Sequence, residues 1–194
     1  MKNKKYANLP LDEVILFASD DDAFEQVVLL TEKKVYALAY AVTGNREDAL
    51  DASQETFIRV WNARASFRGE SSALTWILSV ARNAAIDIVR RRDAHATVSL
   101  TAPDDEGSIA DIPDDSEDAR PDAEYIRSLE VAEVRRAIAA LPAAQREIIT
   151  LRDSEGLTYA ELSALLALPE GTVKSRLARA RYALKKLLSE RNFF

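Results

Sequence analysis

The 194-residue chain has no cysteine, one histidine and one methionine. Disulfides, thiolate metal sites and cysteine nucleophiles are therefore excluded, and with them any redox sensing by the chain's own thiols. Glycine (5) and proline (6) are scarce and aromatic residues make up only 7%, so the turn density and β-formers of a strand-rich protein are missing. Ala, Leu, Glu and Arg fill the space, which predicts an all-α protein. There is no glycine-rich phosphate loop, and the lone His95 lies in a polar stretch where it reads as a solvated side chain. No catalytic, cofactor-binding or metal-binding residue is assigned, and an enzyme is not expected. The N-terminus, MKNKKYANLPLDE, lacks the apolar core of a signal peptide, and no window approaches about 20 uncharged apolar residues. These absences predict a cytoplasmic chain without membrane insertion.

Charge is unevenly spread. Formal net charge is -6, yet Asp93 to Glu124 alone carries about -10, with Arg120 its single Lys or Arg. With three prolines, Gly107 and almost no large apolar residue, that stretch cannot bury enough surface to offset its ordering entropy. It reads as a flexible acidic linker, residues 94–124, between two small domains at 20–93 and 125–194, with residues 1–19 as an N-terminal extension. At the other extreme, Glu170 to Phe194 is about +5.

In the C-terminal half, helical periodicity runs from about Tyr125 to Ala140 and stops before Pro142. A second helix is expected over Pro142–Arg152, ending near Gly156. Thr158-Tyr-Ala-Glu161 has the form of a capping box, opening a short helix with Leu162, Leu165 and Leu166 on its apolar side. After Ala167 and Leu168, Pro169 can start another helix, which gives the spacing of a helix-turn-helix, with Leu168 a poor N-cap. On the last helix Val173, Leu177, Ala180, Leu184, Leu187 and Leu188 form one apolar stripe, flanked on both sides by polar and basic residues. The first turns of such a helix enter the major groove, where Arg bonds guanine edges and Ser or Thr reaches bases or phosphates. Thr172, Ser175, Arg176 and Arg179 occupy those turns. Base reading is assigned to Arg176 and Arg179, and phosphate contact to Lys174 and Arg181. The bland alternative for each is a solvated charge.

In the N-terminal half, a helix over Ala23–Val42 is ended by Thr43-Gly44, and Asn45 caps the next, which runs to Trp61. Ala49, Thr56, Phe57 and Val60 form one face of that helix; Asp51, Gln54, Glu55 and Ile58 form another. Ala63–Ser72 is a loop dense in Arg and Ser. Arg64, Phe67 and Arg68 within it could give single-stranded nucleic acid a charged path and a flat stacking face, or Phe67 could be a loop anchor packed on the core. The following helix, Thr75–Arg92, is largely apolar and ends in three arginines that suit its dipole.

In this order and spacing, Asp51-Ala-Ser-Gln-Glu-Thr-Phe57, Phe67-Arg-Gly69, Thr75-Trp-Ile77 with Ala81-Arg-Asn83, Leu141-Pro142, Leu157-Thr-Tyr-Ala-Glu161 and Gly171-Thr-Val-Lys-Ser-Arg-Leu177 resemble the bacterial RNA polymerase sigma factors of the extracytoplasmic-function (ECF) type. The resemblance covers residues 20–93 and 125–194 and implies a region 2 bundle followed by a region 4 helix-turn-helix. It implies that Asp51, Gln54 and Glu55 dock on core RNA polymerase. Trp61, Arg64, Phe67, Arg68, Gly69, Ser71, Trp76, Arg82 and Asn83 would take part in capturing and melting the -10 element, and Thr172, Lys174, Ser175, Arg176, Arg179 and Arg181 would read the duplex -35 element. Such melting needs no catalytic group, because binding of flipped bases traps the opened strand. An anti-sigma factor is a typical partner of the family. The competing reading is a free-standing helix-turn-helix regulator that binds duplex DNA without polymerase, which leaves the Asp51–Phe57 face without a role.

Overall fold

The computed structural model describes residues 6, 9–17, 20–98 and 131–190. Among them every regular element is helical. The expected linker from 99 onward, the apolar positions Ile126 and Leu129, and Arg191 lie outside the described residues.

The first domain is a bundle of α2 (Asp21–Thr43), α3 (Arg46–Ala63) and α4 (Ala73–Val98), preceded by a single turn α1 (Leu11–Val14) and a 3-10 turn Ile15–Phe17. Local chemistry places each boundary. The Asp20 carboxylate accepts from the Asp22 N–H at 3.0 Å and starts α2. Gly44, at φ 79°, ends it with its N–H on the Tyr40 carbonyl, and the Asn45 side chain accepts from the Asp48 N–H at 2.8 Å to start α3. Ser72 Oγ accepts from the Thr75 N–H at 3.1 Å, and the Asp12 carboxylate accepts from the Ala73 N–H at 2.6 Å. This last bond ties α1 to the start of α4, so the described part of 1–19 belongs to the bundle, with Val14 and Ile15 buried. The extension was not recognisable as packed structure because four helical residues carry no periodicity.

Val27, Val35, Leu38, Val60, Ile77 and Leu78 fill the centre. Farther along the bundle Ala39, Ala49, Ala52 and Ala85 meet beside Ile88, and small side chains let the three helices approach. Three buried threonines in this core, Thr31, Thr43 and Thr56, donate to the carbonyls four residues earlier (Val27, Ala39 and Ala52), which satisfies their hydroxyls. α4 runs six residues past Arg92, so 94–98 are helix where the linker was expected to begin.

The second domain comprises α5 (131–139), α6 (Ala143–Ile149), a π turn Thr150–Ser154, α7 (Tyr159–Leu166) and α8 (Glu170–Glu190). Thr158 and Glu161 form the expected capping box, with the Thr158 N–H donating to the Glu161 carboxylate at 2.8 Å and the Glu161 N–H to Thr158 Oγ at 3.2 Å. α7 ends at Ala167 in the left-handed region, φ 54°. The expected N-cap at Leu168 is corrected. α8 begins at Glu170, and the Pro169 carbonyl accepts from the Thr172 and Val173 N–H groups at 2.8 and 3.0 Å. Leu168 instead closes α7, donating its N–H to the Ser163 carbonyl while its own carbonyl accepts from Ser163 Oγ.

The two domains pack directly, α6 against α2 and α7 against α4. Buried side chains of both form one continuous cluster. Arg146 on α6 donates through Nε to the Ala41 carbonyl of α2 at 2.8 Å and through Nη1 to the carbonyls of Ala139 and Leu141 in its own domain. Burial pulls its pKa below the ordinary arginine value. Lys34 pairs with Glu155 at 2.7 Å and Arg82 with Glu147 at 2.5 Å. Thr75 Oγ donates to the Glu161 carboxylate at 2.7 Å, so the capping-box carboxylate also holds the start of α4.

Candidate nucleic-acid interface

The helix-turn-helix is α7, the Ala167–Pro169 turn and α8. Val173, Leu177 and Ala180 are buried and Leu184, Leu187 and Leu188 half-buried, so the apolar stripe is the keel the spacing predicts. Along the outer side Lys174, Ser175, Arg176, Arg179 and Arg181 are exposed and Thr172 is half-buried. Among the described residues, Arg176 and Arg179 have no hydrogen-bond or ion-pair partner. They present two guanidinium groups about one turn apart to solvent, the geometry needed for entry into a groove. Arg181 differs. Its Nε and Nη2 both donate to the Asp153 carboxylate, which raises its pKa, so a phosphate would compete there with a pair already made. Lys174 lies over the Tyr159 ring at 5.4 Å, with Arg152 over the same ring at 4.9 Å. Tyr159 and Arg152 thus adjoin the reading face. In the sequence Tyr159 reads only as part of a cap, because a ring between two cations brought in from different elements has no linear signature.

In the first domain Asp51, Gln54 and Ile58 are exposed on one side of α3, with Leu50 beside them. Glu55 is half-buried and receives the Nε of Arg59 at 2.8 Å, while Arg59 Nη1 donates to Asp87 on α4 at 2.8 Å. These two carboxylates hold the Arg59 pKa above its usual value. Asp51 and Gln54 are therefore available to a partner, whereas Glu55 is partly committed to a brace between α3 and α4.

The residues expected at the -10 element fall into three surroundings. Trp61 stands edge-on to Phe24, ring centroids 4.8 Å apart, and Arg64 covers its ring at 3.7 Å and donates to its carbonyl. Phe67 lies 5.3 Å from Trp76 and both are half-buried against the core, so Phe67 anchors the loop as well as offering an edge. Arg68, Gly69 and Ser71 at the loop tip and Asn83 on α4 are exposed, with Gly69 at φ 71° in the turn. Arg82 is set apart from these: Glu147 of the second domain takes its charge.

Between α2 and α3 on one side and α5 and α6 on the other lies a cavity of about 730 Å³. The stacked rings of Tyr36 and Tyr40, Phe57, Leu50 and the guanidinium-bearing Arg46, Arg135 and Arg146 contribute to its walls. Burial raises the Tyr36 pKa against the pull of Arg46.

The sigma-70 region 2 family model matches residues 28–95 and the sigma-70 region 4 model residues 132–184. RNA polymerase sigma-H factor of Pseudomonas aeruginosa is 34% identical over 175 residues, covering 87% of this chain and 88% of that protein. ECF RNA polymerase sigma factor SigM of Mycobacterium tuberculosis is 33% identical, covering 90% and 82%. SigW of Bacillus subtilis, also an ECF RNA polymerase sigma factor, is 32% identical, covering 88% and 91%. Among solved structures, the sigma factor RpoE in complex with the anti-sigma factor NepR from Bartonella quintana superposes with a TM-score of 0.70 at 27% identity, covering 86% of this chain and 96% of that one. The fold of CnrH, solved in complex with the cytosolic domain of CnrY, is similar at a TM-score of 0.62, covering 93% and 99%. The exposed basic face of α8, the open acidic side of α3 and the matches across both domains make this chain a member of the ECF family of bacterial RNA polymerase sigma factors, subunits that direct the core enzyme to promoters.

Proposed function

We propose that the exposed outer side of α8 reads the -35 element, with Arg176 and Arg179 on base edges, Thr172 and Ser175 beside them, and Lys174 and Arg181 on phosphates. The observation that carries this reading is the pair of unpartnered guanidinium groups on a helix whose opposite side is buried. Asp51 and Gln54 dock on core polymerase, with Glu55 contributing once Arg59 shares it. Trp61, Arg64, Phe67, Arg68, Gly69, Ser71, Trp76, Arg82 and Asn83 capture the opened -10 strand through stacking and charge. The chain acts as a specificity subunit with no catalytic group of its own. An anti-sigma factor is a further partner, on the strength of the neighbouring complex with NepR. Among the described residues no helix is long and apolar enough to cross a membrane.

Run-off transcription with purified core polymerase tests the reading. Transcripts from a cognate promoter should require both core and this chain. If the chain alone binds promoter duplex with full affinity and core adds nothing, the chain works as a free-standing regulator and the proposal fails.

A further inference from the structure

The cavity between α2, α3, α5 and α6 is built from residues that the surfaces proposed for core and promoter do not use, Gln54 excepted. Its volume, about 730 Å³, falls within the roughly 300–1,000 Å³ of small-molecule sites, which favour domain interfaces and combine apolar walls with a few convergent polar groups.

Its charge is one-sided. Arg46, Arg135 and Arg146 line it with Lys33, and Glu32 is the one carboxylate among the described lining residues. Arg46 is exposed and Arg135 half-buried, and neither has a hydrogen-bond or ion-pair partner among the described residues. Arg146 donates to three carbonyls, of Ala41, Ala139 and Leu141, and among the described residues no carboxylate answers its charge. A cation drawn out of water without a counter-charge is costly, and an anion entering beside it recovers part of that cost. The positive end is localised. Arg46 stands two residues beyond Gly44, and the Arg146 guanidinium lies against Gly44. Glu32 is twelve residues back along α2, about 18 Å away at the rise of a helix.

Between these ends the wall is flat and apolar. Tyr36 and Tyr40, one turn apart on α2, stack with ring centroids 6.3 Å apart and 22° between their planes, and Phe57 on α3 lines the same space. Aromatic faces stack with any nucleobase, and guanidinium groups donate paired N–H bonds to phosphate oxygens. We infer that this cavity binds a nucleoside diphosphate, with its base against Tyr36, Tyr40 and Phe57 and its phosphates on Arg46, Arg135 and Arg146. Several unanswered positive charges suit a diphosphate better than a carboxylate or a single phosphate. Side chains here replace the glycine-rich loop that the sequence lacks, and because the phosphate end is already cationic, binding needs no Mg²⁺. Gln54 also lies on the side of α3 proposed to dock core, so the nucleotide and core compete. That consequence rests on the sigma factor reading above, and by linkage each weakens the other by the same factor.

Isothermal titration calorimetry of the free full-length chain, at low salt with EDTA, tests the site. ADP, GDP, CDP and UDP are titrated in turn, with adenosine and inorganic phosphate as probes of the two halves. At least one diphosphate should bind with a Kd of about 100 µM or tighter, and adenosine and inorganic phosphate about tenfold or more weakly than that. Arg46→Ala and Arg135→Ala should each weaken the diphosphate about tenfold, the loss expected for one charge-assisted hydrogen bond. Their thermal melts without nucleotide should match the parent, since neither arginine has a partner to lose. Tyr40→Leu should weaken the diphosphate but not inorganic phosphate. The site is refuted if no diphosphate binds below about 1 mM, if inorganic phosphate binds as tightly as the nucleotides, or if both arginine variants keep the parent affinity. Calorimetry on the free chain involves neither polymerase nor promoter, so its outcome is independent of the sigma factor reading. Labelled core titrated with and without the diphosphate reads the competition, and equal core affinity in both overturns that step alone.

Discussion

Arg176 and Arg179 are exposed and unpartnered among the described residues, whereas Lys174 rests over an aromatic ring and Arg181 is tied to Asp153. These differences separate their expected effects. Arg176→Ala or Arg179→Ala should each weaken cognate -35 binding by about 1–3 kcal/mol and relax base preference at one position, measured by holoenzyme binding to a panel of single-base variants. Lys174→Ala should weaken all of those promoters alike and flatten the dependence of log affinity on log salt by about one unit. On α3, Asp51→Lys should lower core affinity while leaving folding stability within about 0.5 kcal/mol of the parent, because Asp51 is exposed. Glu55→Lys should lower both, since it also breaks the Arg59 brace to Asp87. A titration of labelled core against each variant, paired with thermal melts, distinguishes the two. The polar side of α3 was legible because an i, i+3, i+4 pattern shows which residues share a face. That Arg59 reaches Asp87 and that Arg82 answers Glu147 was not, since partners 28 and 65 residues apart leave no periodic trace.

Helix boundaries were the most readable elements, for a reason visible at each one. Asn45, Gly44 and the Thr158–Glu161 box act through bonds only a few residues long, so local sequence contains both partners. Thr158→Ala should accordingly cost about 0.5–2 kcal/mol, seen as a lower melting temperature. The turn of the helix-turn-helix behaves differently. Ala167 holds φ 54°, a region that costs a residue with a Cβ about 1 kcal/mol. Ala167→Gly should therefore raise stability by roughly 0.5–1 kcal/mol in a chemical denaturation series, with -35 binding retained. Here Leu168 closes α7 and does not cap α8. An alanine gives no signal of a left-handed residue, so the sequence pattern starts the helix one residue earlier, at Pro169, than the Glu170 of the structure. The π turn after α6 and the packing of α1 were equally silent, because both depend on contacts with distant helices.

For the whole molecule, the packing of the two domains adds a proton linkage. The Glu161 carboxyl is held below its usual pKa of 4.5 first by the Thr158 N–H and next by the Thr75 hydroxyl across the domain boundary. A depressed carboxylate contributes stability that is fully present above its unfolded pKa and is lost as pH falls through the lowered folded value. Melting temperature should thus be flat in this contribution near neutrality and decline below about pH 4.5. Thr75→Ala should reduce that decline, as differential scanning calorimetry across an acid series would show. The all-α class and the presence of two helical domains were legible from composition and charge, but their mutual packing was not, because docking surfaces of folded domains are assembled from residues spread over the whole chain.

Gly44 shows how tightly the two kinds of information meet. It ends α2 with a backbone turn at φ 79°, and a Cβ built there would stand 3.0 Å from the Arg146 guanidinium. The same hydrogen atom in place of a methyl group thus serves a stereochemical need in one domain and leaves a port for the arginine of the other. Substitution at this position changes the fit between domains even where the bundle absorbs the strain, so the relation between the halves of this protein is written partly in a side chain that is not there.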